Sequence, residues 1–246
     1  MIAGPTEQRQ YLMTDAENLS WQRIAAWCGP LFVVTFVASW GWIGMNLPPA
    51  GPGLSALEIA RHYAENGLRI RIGFVLSVVM VCLYLPWTAV LSARMRRIEG
   101  ASPVLTYLQL VGGALTVMVV SMSATFWIAA AFRPERNVEI TQMLHDMGWL
   151  TIDQLYFCTT LQMIAAAVVG LYDKSPRPML PKWACWYAIW AGLTFLPASL
   201  TAFLKHGAFA WNGVMSYYFP YFAWLSWFSI FSFCILAAIG RERRGQ

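Results

Sequence analysis

The sequence is poor in charge. Only 12% of its residues are charged, while 58% are hydrophobic; a soluble domain carries about 25% charged residues. This deficit excludes an ordinary soluble domain and predicts an integral membrane protein. The net charge of +5 does not indicate nucleic-acid binding, because the lysines and arginines lie in short loops between apolar runs, where they set membrane topology. Nucleic acid is therefore not an expected partner.

The sequence also lacks paired cysteines and recognisable catalytic motifs. None of the five cysteines forms a C-x-x-C pair, so no disulfide framework or zinc knuckle is predicted. Serine-hydrolase, phosphate-loop and thiol motifs are missing. No histidine lies at the middle of an apolar run, which argues against haem b between spans. The sequence thus indicates no particular cofactor, and whether the protein is an enzyme stays open.

Long apolar runs dominate what is present. A membrane-spanning helix needs about 20 apolar residues, and six runs are long enough: 24–47, 71–93, 104–132, 148–172, 183–204 and 216–239. The first is longer than a signal-peptide core and no A-x-A site follows it, so we expect it to stay in the protein. The predicted fold class is all-α, a polytopic six-helix bundle.

The lysines and arginines are unevenly distributed between the two sides of this bundle. Eleven fall on the side of both termini; the other six are Arg61, Arg69, Arg71, Arg133, Arg136 and Lys205. Cytoplasmic loops carry the excess of basic residues, which places both termini in the cytoplasm. A single domain, 1–246, is expected: a cytoplasmic segment at 1–23, the bundle at 24–239 and a basic cytoplasmic tail at 240–246.

The first outer loop contains a second kind of helix signal. Ser55 and Glu58 have the spacing of a capping box, so a helix is predicted to begin at Ser55. Asn66 and Gly67 are typical of a helix stop. We therefore expect a short amphipathic helix on the outer surface, separate from the second span.

The stretch TQMLHDMGWLTIDQL (141–155) concentrates polar residues before the fourth span. Counting 20 residues back from the cytoplasmic end of that span places Asp153 at the outer edge of the hydrocarbon core. One interpretation is a polar helix start in the headgroups, with Trp149 as an interfacial anchor. The other is a functional carboxylate at Asp153, which should face the bundle or pair with a cation. Asp153, Asp146 and His145 are the candidate acid–base residues.

Polar and small residues also recur along the apolar runs. In the third run they follow helical spacing at Gln109, Gly113, Thr116 and Ser123. Such residues let membrane helices approach closely and hydrogen-bond, so we interpret this stripe as bundle interior rather than a substrate path.

All three histidines, His62, His145 and His206, fall on the predicted outer side. Three imidazoles with a carboxylate can hold zinc or copper. No two of them have helical i, i+4 spacing, however, and Arg61 and Lys205 would repel a cation. A metal site is therefore not predicted, and these histidines are only weak metal candidates.

Residues 204–221 form a dense aromatic and polar segment. The candidate ligand-binding residues are Lys205, His206, Trp211, Asn212, Tyr217 and Tyr218. An interfacial aromatic belt with a loop explains them without a ligand. The alternative is an outer vestibule for a lipophilic molecule, a quinone-like ring or a partner protein.

At EIARHYAENGLRIRIG (58–73) and HGAFAWNGVMSYYFP (206–220) the sequence resembles a group of uncharacterised bacterial polytopic membrane proteins. The resemblance implies six spans in a bacterial inner membrane and assigns no catalytic residue.

Three functions remain as hypotheses. The first is an accessory or structural subunit of a larger membrane complex, binding lipid or another lipophilic molecule at the outer face. The second is a small membrane enzyme acting on a lipophilic substrate through Asp153, Asp146 and His145. The third is an oligomeric transporter or channel. Expected partners are membrane lipids and other membrane subunits or further copies of the chain.

Overall fold

A computed structural model describes residues 13–245, which are helical throughout their regular elements and contain no β-strand. The helices are α1 (Asp15–Phe36), α2 (Ala56–Met80), α3 (Tyr84–Glu99), α4 (Val104–Phe132), α5 (Val138–Gln154), α6 (Phe157–Tyr172), α7 (Lys182–Leu193) and α8 (Phe219–Arg243). Short 3-10 helices span Val81–Leu83 and Leu196–Ala202, and π-helical segments span Val37–Ile43 and Val214–Tyr218. Arg9, with the rest of 1–12, and residue 246 lie outside the described residues.

Five helical stretches are long and apolar enough to cross a membrane. They are Asp15–Ile43, Ala56–Glu99, Val104–Phe132, Val138–Tyr172 and Val214–Arg243. This is the pattern of a multi-pass membrane protein. The predicted third run coincides with α4, whereas each of the other four stretches begins before its predicted run.

The predicted run 183–204 folds as two short pieces, α7 and the 3-10 helix that follows it. Pro197 lies in the first turn of that 3-10 helix, and a proline there cannot donate the hydrogen bond that would continue α7. At one end Lys182 Nζ donates to the carbonyl oxygen of Gly170, 3.2 Å away, near the end of α6. At the other, Gln154 Nε2 donates to the carbonyl oxygen of Ala198 at 3.2 Å. The two pieces together therefore run antiparallel to α6, from its last turn back to the end of α5.

The capping box at Ser55 and Glu58 is confirmed, since Ser55 Oγ accepts from the Glu58 amide and the Glu58 side chain accepts from Ser55 N. The predicted stop at Asn66 and Gly67 is wrong. Helix α2 continues through both residues to Met80. Asn66 Nδ2 donates back to the His62 carbonyl oxygen at 3.1 Å, so its side chain supports the helix instead of ending it. The segment at 55–67 is the first part of α2, not a separate surface helix.

The bundle has two ends of different character. The basic end holds the starts of α1, α4 and α7 and the ends of α3, α6 and α8. At this end Arg94 forms an ion pair with Glu242. Arg243 Nη2 also donates to Ser20 Oγ at 2.8 Å. The loop end holds the connections at 44–55, 133–137 and 194–218. At that end Trp211 Nε1 donates to the Ala50 carbonyl oxygen at 2.9 Å.

A buried polar network crosses the centre of the bundle. Tyr84 Oη donates to Gln162 Oε1 at 2.5 Å, and Gln162 Nε2 donates to Thr88 Oγ1 at 3.0 Å. Gln109 Nε2 reaches the same Thr88 oxygen at 2.6 Å and its Oε1 accepts from Ser92. The interpretation of the α4 stripe as bundle interior is confirmed, because all of its members are buried.

Candidate functional site

One face of α5 carries the candidate residues into the bundle. His145, Trp149 and Asp153 follow one another at i, i+4 spacing and are 2%, 0% and 3% exposed. Trp149 packs against Trp127, with ring centroids 4.9 Å apart, and against Trp211. The interpretation of Trp149 as an interfacial anchor is therefore wrong: α5 begins at Val138 and is already packed inside the bundle when it reaches Trp149.

His145 lies between aromatic side chains and has one hydrogen-bonded ring nitrogen. The hydroxyl of Tyr63 is 2.9 Å from His145 Nδ1, and Trp127 Nε1 donates to the His145 carbonyl oxygen at 3.2 Å. The other ring nitrogen, Nε2, is buried and has no hydrogen-bond partner within residues 13–245. Such an atom is uncommon, because buried polar groups normally find partners.

Asp153 faces the bundle and has no cationic partner among residues 13–245. The ion pairs found in the described part of the chain both involve Glu242, so the expected pairing with a basic side chain is not observed there. Asp153 Oδ2 is buried without a hydrogen-bond partner among those residues. Thr201, Tyr217 and Tyr221 lie within electrostatic range of its carboxyl group. The surroundings of this carboxyl group are therefore hydroxyl groups and aromatic rings.

The three acid–base candidates are not brought together into one reaction centre. Asp153 lies eight residues from His145 along the same helix, about 12 Å at 1.5 Å per residue, and Trp149 fills the space between them. Asp146 is half-buried and seven residues from Asp153, about 10 Å along the axis. Direct proton transfer requires hydrogen-bond distance or a single bridging water, so these residues do not form a dyad.

The six ligand-binding candidates separate into three groups. Lys205, His206 and Asn212 line a shallow depression of about 450 Å³ against the 49–54 connection. A Cβ atom at Gly53 would lie 2.3 Å from the His206 ring, so that side chain packs closely on the glycine. This depression is open and polar at its rim.

Trp211 and Tyr217 point inward. Both are buried, and both pack on Trp149. Tyr217 Oη donates to the Asn46 carbonyl oxygen, which fastens the π-helical segment before α8 to the connection after α1. Tyr218, the third group, points to the surface beside this junction.

A distinct apolar groove of about 200 Å³ lies where the two π-helical segments meet. Its lining residues come from 36–47 and 217–225: Phe36, Val37, Trp40, Gly41, Leu47, Tyr217, Tyr218, Tyr221, Phe222 and Leu225. Leu47 and Phe222 are exposed at its edge, so the groove opens onto the outer apolar surface of the bundle. π-Helical turns inside α-helices occur frequently at functional sites.

Two of the residues that line this groove contain buried hydrogen-bond donors. Within residues 13–245, neither Trp40 Nε1 nor Tyr221 Oη has a hydrogen-bond partner. An indole N–H can only donate. The groove therefore combines an apolar wall with donors that suit a ligand carrying an acceptor oxygen.

The three histidines do not form a metal site. Within residues 13–245 no three histidine, cysteine or acidic side chains come together as a group able to hold a metal ion. His62 and His145 both contact Tyr63, with ring centroids 5.5 and 5.7 Å away, while His206 packs on Gly53 in the depression.

The chain matches no known protein family, no curated protein and no solved structure. The resemblance at 58–73 and 206–220 thus stays a prediction. The groove itself was missed by the sequence analysis, because its two halves are about 180 residues apart along the chain and both look like ordinary apolar spans. The run of aromatic residues at 217–224 is the one signal that pointed toward it.

Proposed function

We propose that the protein is an accessory integral membrane subunit that holds a lipophilic molecule in the groove at its loop end. The molecule carries an acceptor oxygen, as an ester or a quinone does, and its apolar part lies against Phe36 and Leu225. The observation that carries the proposal is the pairing of an apolar, outward-opening groove with the unused donors Trp40 Nε1 and Tyr221 Oη. Unpaired buried donors cost free energy, and an acceptor on the ligand would remove that cost.

The size of the groove limits its occupant. Pockets that enclose a drug-sized molecule measure about 300–1,000 Å³, whereas this one measures about 200 Å³. It accommodates one ring or one chain of a lipid rather than a whole lipid. The remainder of the molecule stays in the bilayer, which is consistent with the exposed edge at Leu47 and Phe222.

The proposal includes a topology of six crossings in a bacterial inner membrane, with the basic end in the cytoplasm. The sixth crossing is α7 with its 3-10 helix. Its contacts with the end of α6 and with the last residue of α5 support it, and the excess of lysine and arginine at the basic end supports the orientation. In this arrangement the groove and the depression belong to the outer face.

The groove is tested by filling it. Gly41 lines the groove, and a Cβ there would make only an ordinary 3.5 Å contact with Leu47; the rest of a leucine side chain would occupy the ligand's space. Gly41→Leu should remove a lipophilic molecule that co-purifies with the wild type in nanodiscs and is seen by native mass spectrometry. Gly240→Leu is the control, since a Cβ at Gly240 meets open space. Equal retention in both variants would contradict the proposal.

A milder variant tests the acceptor oxygen. Tyr221→Phe removes one donor and keeps the shape of the groove, so we expect weaker retention of the same molecule, by about tenfold for one hydrogen bond. Tyr107→Phe, at an exposed tyrosine, should change nothing. An unchanged affinity in Tyr221→Phe would assign the groove to a purely apolar ligand.

The accessory role is tested in the same purification. A stoichiometric protein partner should accompany the chain from its native membrane in mild detergent. Recovery of the chain alone, as a monomer without any partner, would count against a subunit role even if a ligand is bound.

The second candidate function is a membrane enzyme acting on a lipophilic substrate. Buried Asp153 Oδ2 and His145 Nε2, both without partners in the described range, favour it, because perturbed buried groups cluster at functional sites. Lipids from cells that produce the wild type would then differ from lipids of cells that produce Asp153→Asn. Identical lipid profiles would remove this candidate.

A further inference from the structure

A second pocket lies at the basic end, far from the groove. It measures about 510 Å³ and is lined by the ends of α3, α6 and α8 and by the 173–179 connection. Five cationic side chains line it: Arg94, Arg97, Lys174, Arg177 and Arg241. The two acidic lining residues are Asp173 and Glu242. The lining therefore carries a net positive charge, five cations against two carboxylates.

Arg94 is the most unusual member of this set. Its side chain is 4% exposed, and a buried charge is costly unless it is paired and hydrogen-bonded. Its Nε donates to Gln22 Oε1 at 2.7 Å and its Nη1 to Glu242. Its Nη2 is buried and has no hydrogen-bond partner within residues 13–245. The guanidinium group is thus fixed in place with one donor unused.

The acidic residues of the pocket are already engaged. Glu242 accepts from Arg94 and from Arg97 Nη1, the latter at 3.3 Å. Asp173 accepts from the backbone amides of Ser175 and Met179. Burial alone would raise the pKa of Asp173, but these hydrogen bonds outweigh it and hold the pKa below its usual range. The Asp173 carboxylate is therefore stabilised by backbone amides of its own turn rather than by a cation of the pocket.

Other cations of the pocket remain available. Lys174 and Arg177 are exposed and form no ion pair within the described residues. Apolar Ile98 and Ala238 line the same pocket, and Tyr172 beside them is exposed. Cationic side chains next to apolar helix surface at the membrane boundary match a lipid that has an anionic headgroup and acyl chains.

We propose that this pocket binds the phosphate group of an anionic phospholipid, with Arg94 at its base and Lys174 and Arg177 at its mouth. Arginine and lysine are the residues that bind phosphate in proteins, and basic pockets between membrane helices on the cytoplasmic side bind anionic headgroups. The five cationic groups that line the pocket outnumber the two carboxylates that they could neutralise, so a net positive charge remains for an anionic ligand. The lipid would brace the ends of α3, α6 and α8 against one another.

The test uses the full-length protein in mild detergent, with native mass spectrometry of retained lipids. Phosphatidylglycerol and cardiolipin should be retained in preference to phosphatidylcholine. Each basic residue near a membrane surface contributes about fivefold to binding of anionic lipid, so Lys174→Gln with Arg177→Gln should reduce retention by about twenty-five-fold. Arg61→Gln with Arg133→Gln, which removes two exposed charges at the loop end, should leave it unchanged.

Three outcomes would overturn the proposal. Equal retention of anionic and zwitterionic lipid would show that the pocket has no headgroup preference. Equal loss in both double variants would assign the effect to net charge. Displacement of the lipid by excess inorganic phosphate, with phosphate then bound, would assign the pocket to a soluble phosphate compound. Retention of the anionic lipid in inorganic phosphate supports the lipid.

Arg94 is tested separately, because its removal also affects folding. Arg94→Lys keeps the charge but loses the planar fork of donors. We expect it to retain the protein's helical content and to bind anionic lipid more weakly than the wild type. Unchanged retention in a folded Arg94→Lys variant would contradict the placement of Arg94 at the base of the site. The groove lies at the opposite end, so failure here leaves the proposed function untouched.

Discussion

At the scale of single residues, burial separates candidates that look equivalent in the sequence. His145, Asp146 and Asp153 share one polar stretch, yet His145 and Asp153 are buried and Asp146 is half-buried. The sequence placed Asp153 at the edge of the hydrocarbon core, where a carboxylate should face the bundle or pair with a cation. It could not show the unpaired Oδ2 atom, because that depends on which side chains the other helices bring near.

Asp153 gives the clearest prediction for a single residue. A buried carboxyl group without a cationic partner costs free energy, either as an unpaired charge or through the proton that it must take up, whereas an amide of the same shape carries no net charge. Asp153→Asn should therefore raise the free energy of unfolding at neutral pH by about 1–3 kcal/mol. Denaturant unfolding of the wild type and the variant in mixed micelles measures this difference in the free energy of unfolding.

Asp146→Asn is the matched control. Asp146 is half-buried, and a substitution at such a position should stay within about 0.5 kcal/mol of the wild type. A clear loss of stability in Asp153→Asn would show instead that the carboxyl group makes a favourable interaction, and would strengthen the enzyme candidate.

At the scale of secondary-structure elements, apolar runs located most of the helices but not their irregularities. The run at 104–132 coincides with α4. The 3-10 helix Val81–Leu83 directly precedes α3, which contains Pro86, where a missing amide hydrogen disturbs the helix. The break at Leu155 and Tyr156 between α5 and α6 has no proline or glycine to announce it. Helix propensity cannot predict a break that results only from packing against other helices.

Close packing between α4 and α6 rests on Gly112, which is next to Gly113 of the predicted stripe. A Cβ at Gly112 would lie 2.7 Å from the Cys158 carbonyl oxygen, which belongs to the backbone and cannot turn away. Gly112→Ala should therefore lower the free energy of unfolding by about 1–3 kcal/mol through overpacking. The same unfolding measurement in micelles tests it.

Gly240→Ala is the comparison for this element. It lies in α8 with open space around its Cβ direction, so it should gain about 0.5–1 kcal/mol from the better helix propensity of alanine. If both alanine variants gained stability, α4 and α6 would not be in contact at Gly112.

At the scale of the whole molecule, the arrangement places different chemistry at the two ends. The loop end carries the aromatic cluster, the depression and the groove; the basic end carries the cationic pocket. The distribution of lysine and arginine could be read from the sequence. The juxtaposition of 36–47 with 217–225 could not, since it depends on how the first and last membrane helices pack together.

The placement of both proposed sites depends on the membrane topology: the chain crosses the membrane six times, with its basic end in the cytoplasm. Exposed Ser175 and Ala208 flank the segment formed by α7 and its 3-10 helix. The decisive measurement is labelling of Ser175→Cys and Ala208→Cys in intact cells with an impermeant maleimide, in a chain whose native cysteines are replaced by alanine. With six crossings and a cytoplasmic basic end, we expect Ala208→Cys to react in intact cells and Ser175→Cys to react only after permeabilisation. Reaction of both from the same side would contradict the sixth crossing, and the reverse pattern would contradict the orientation.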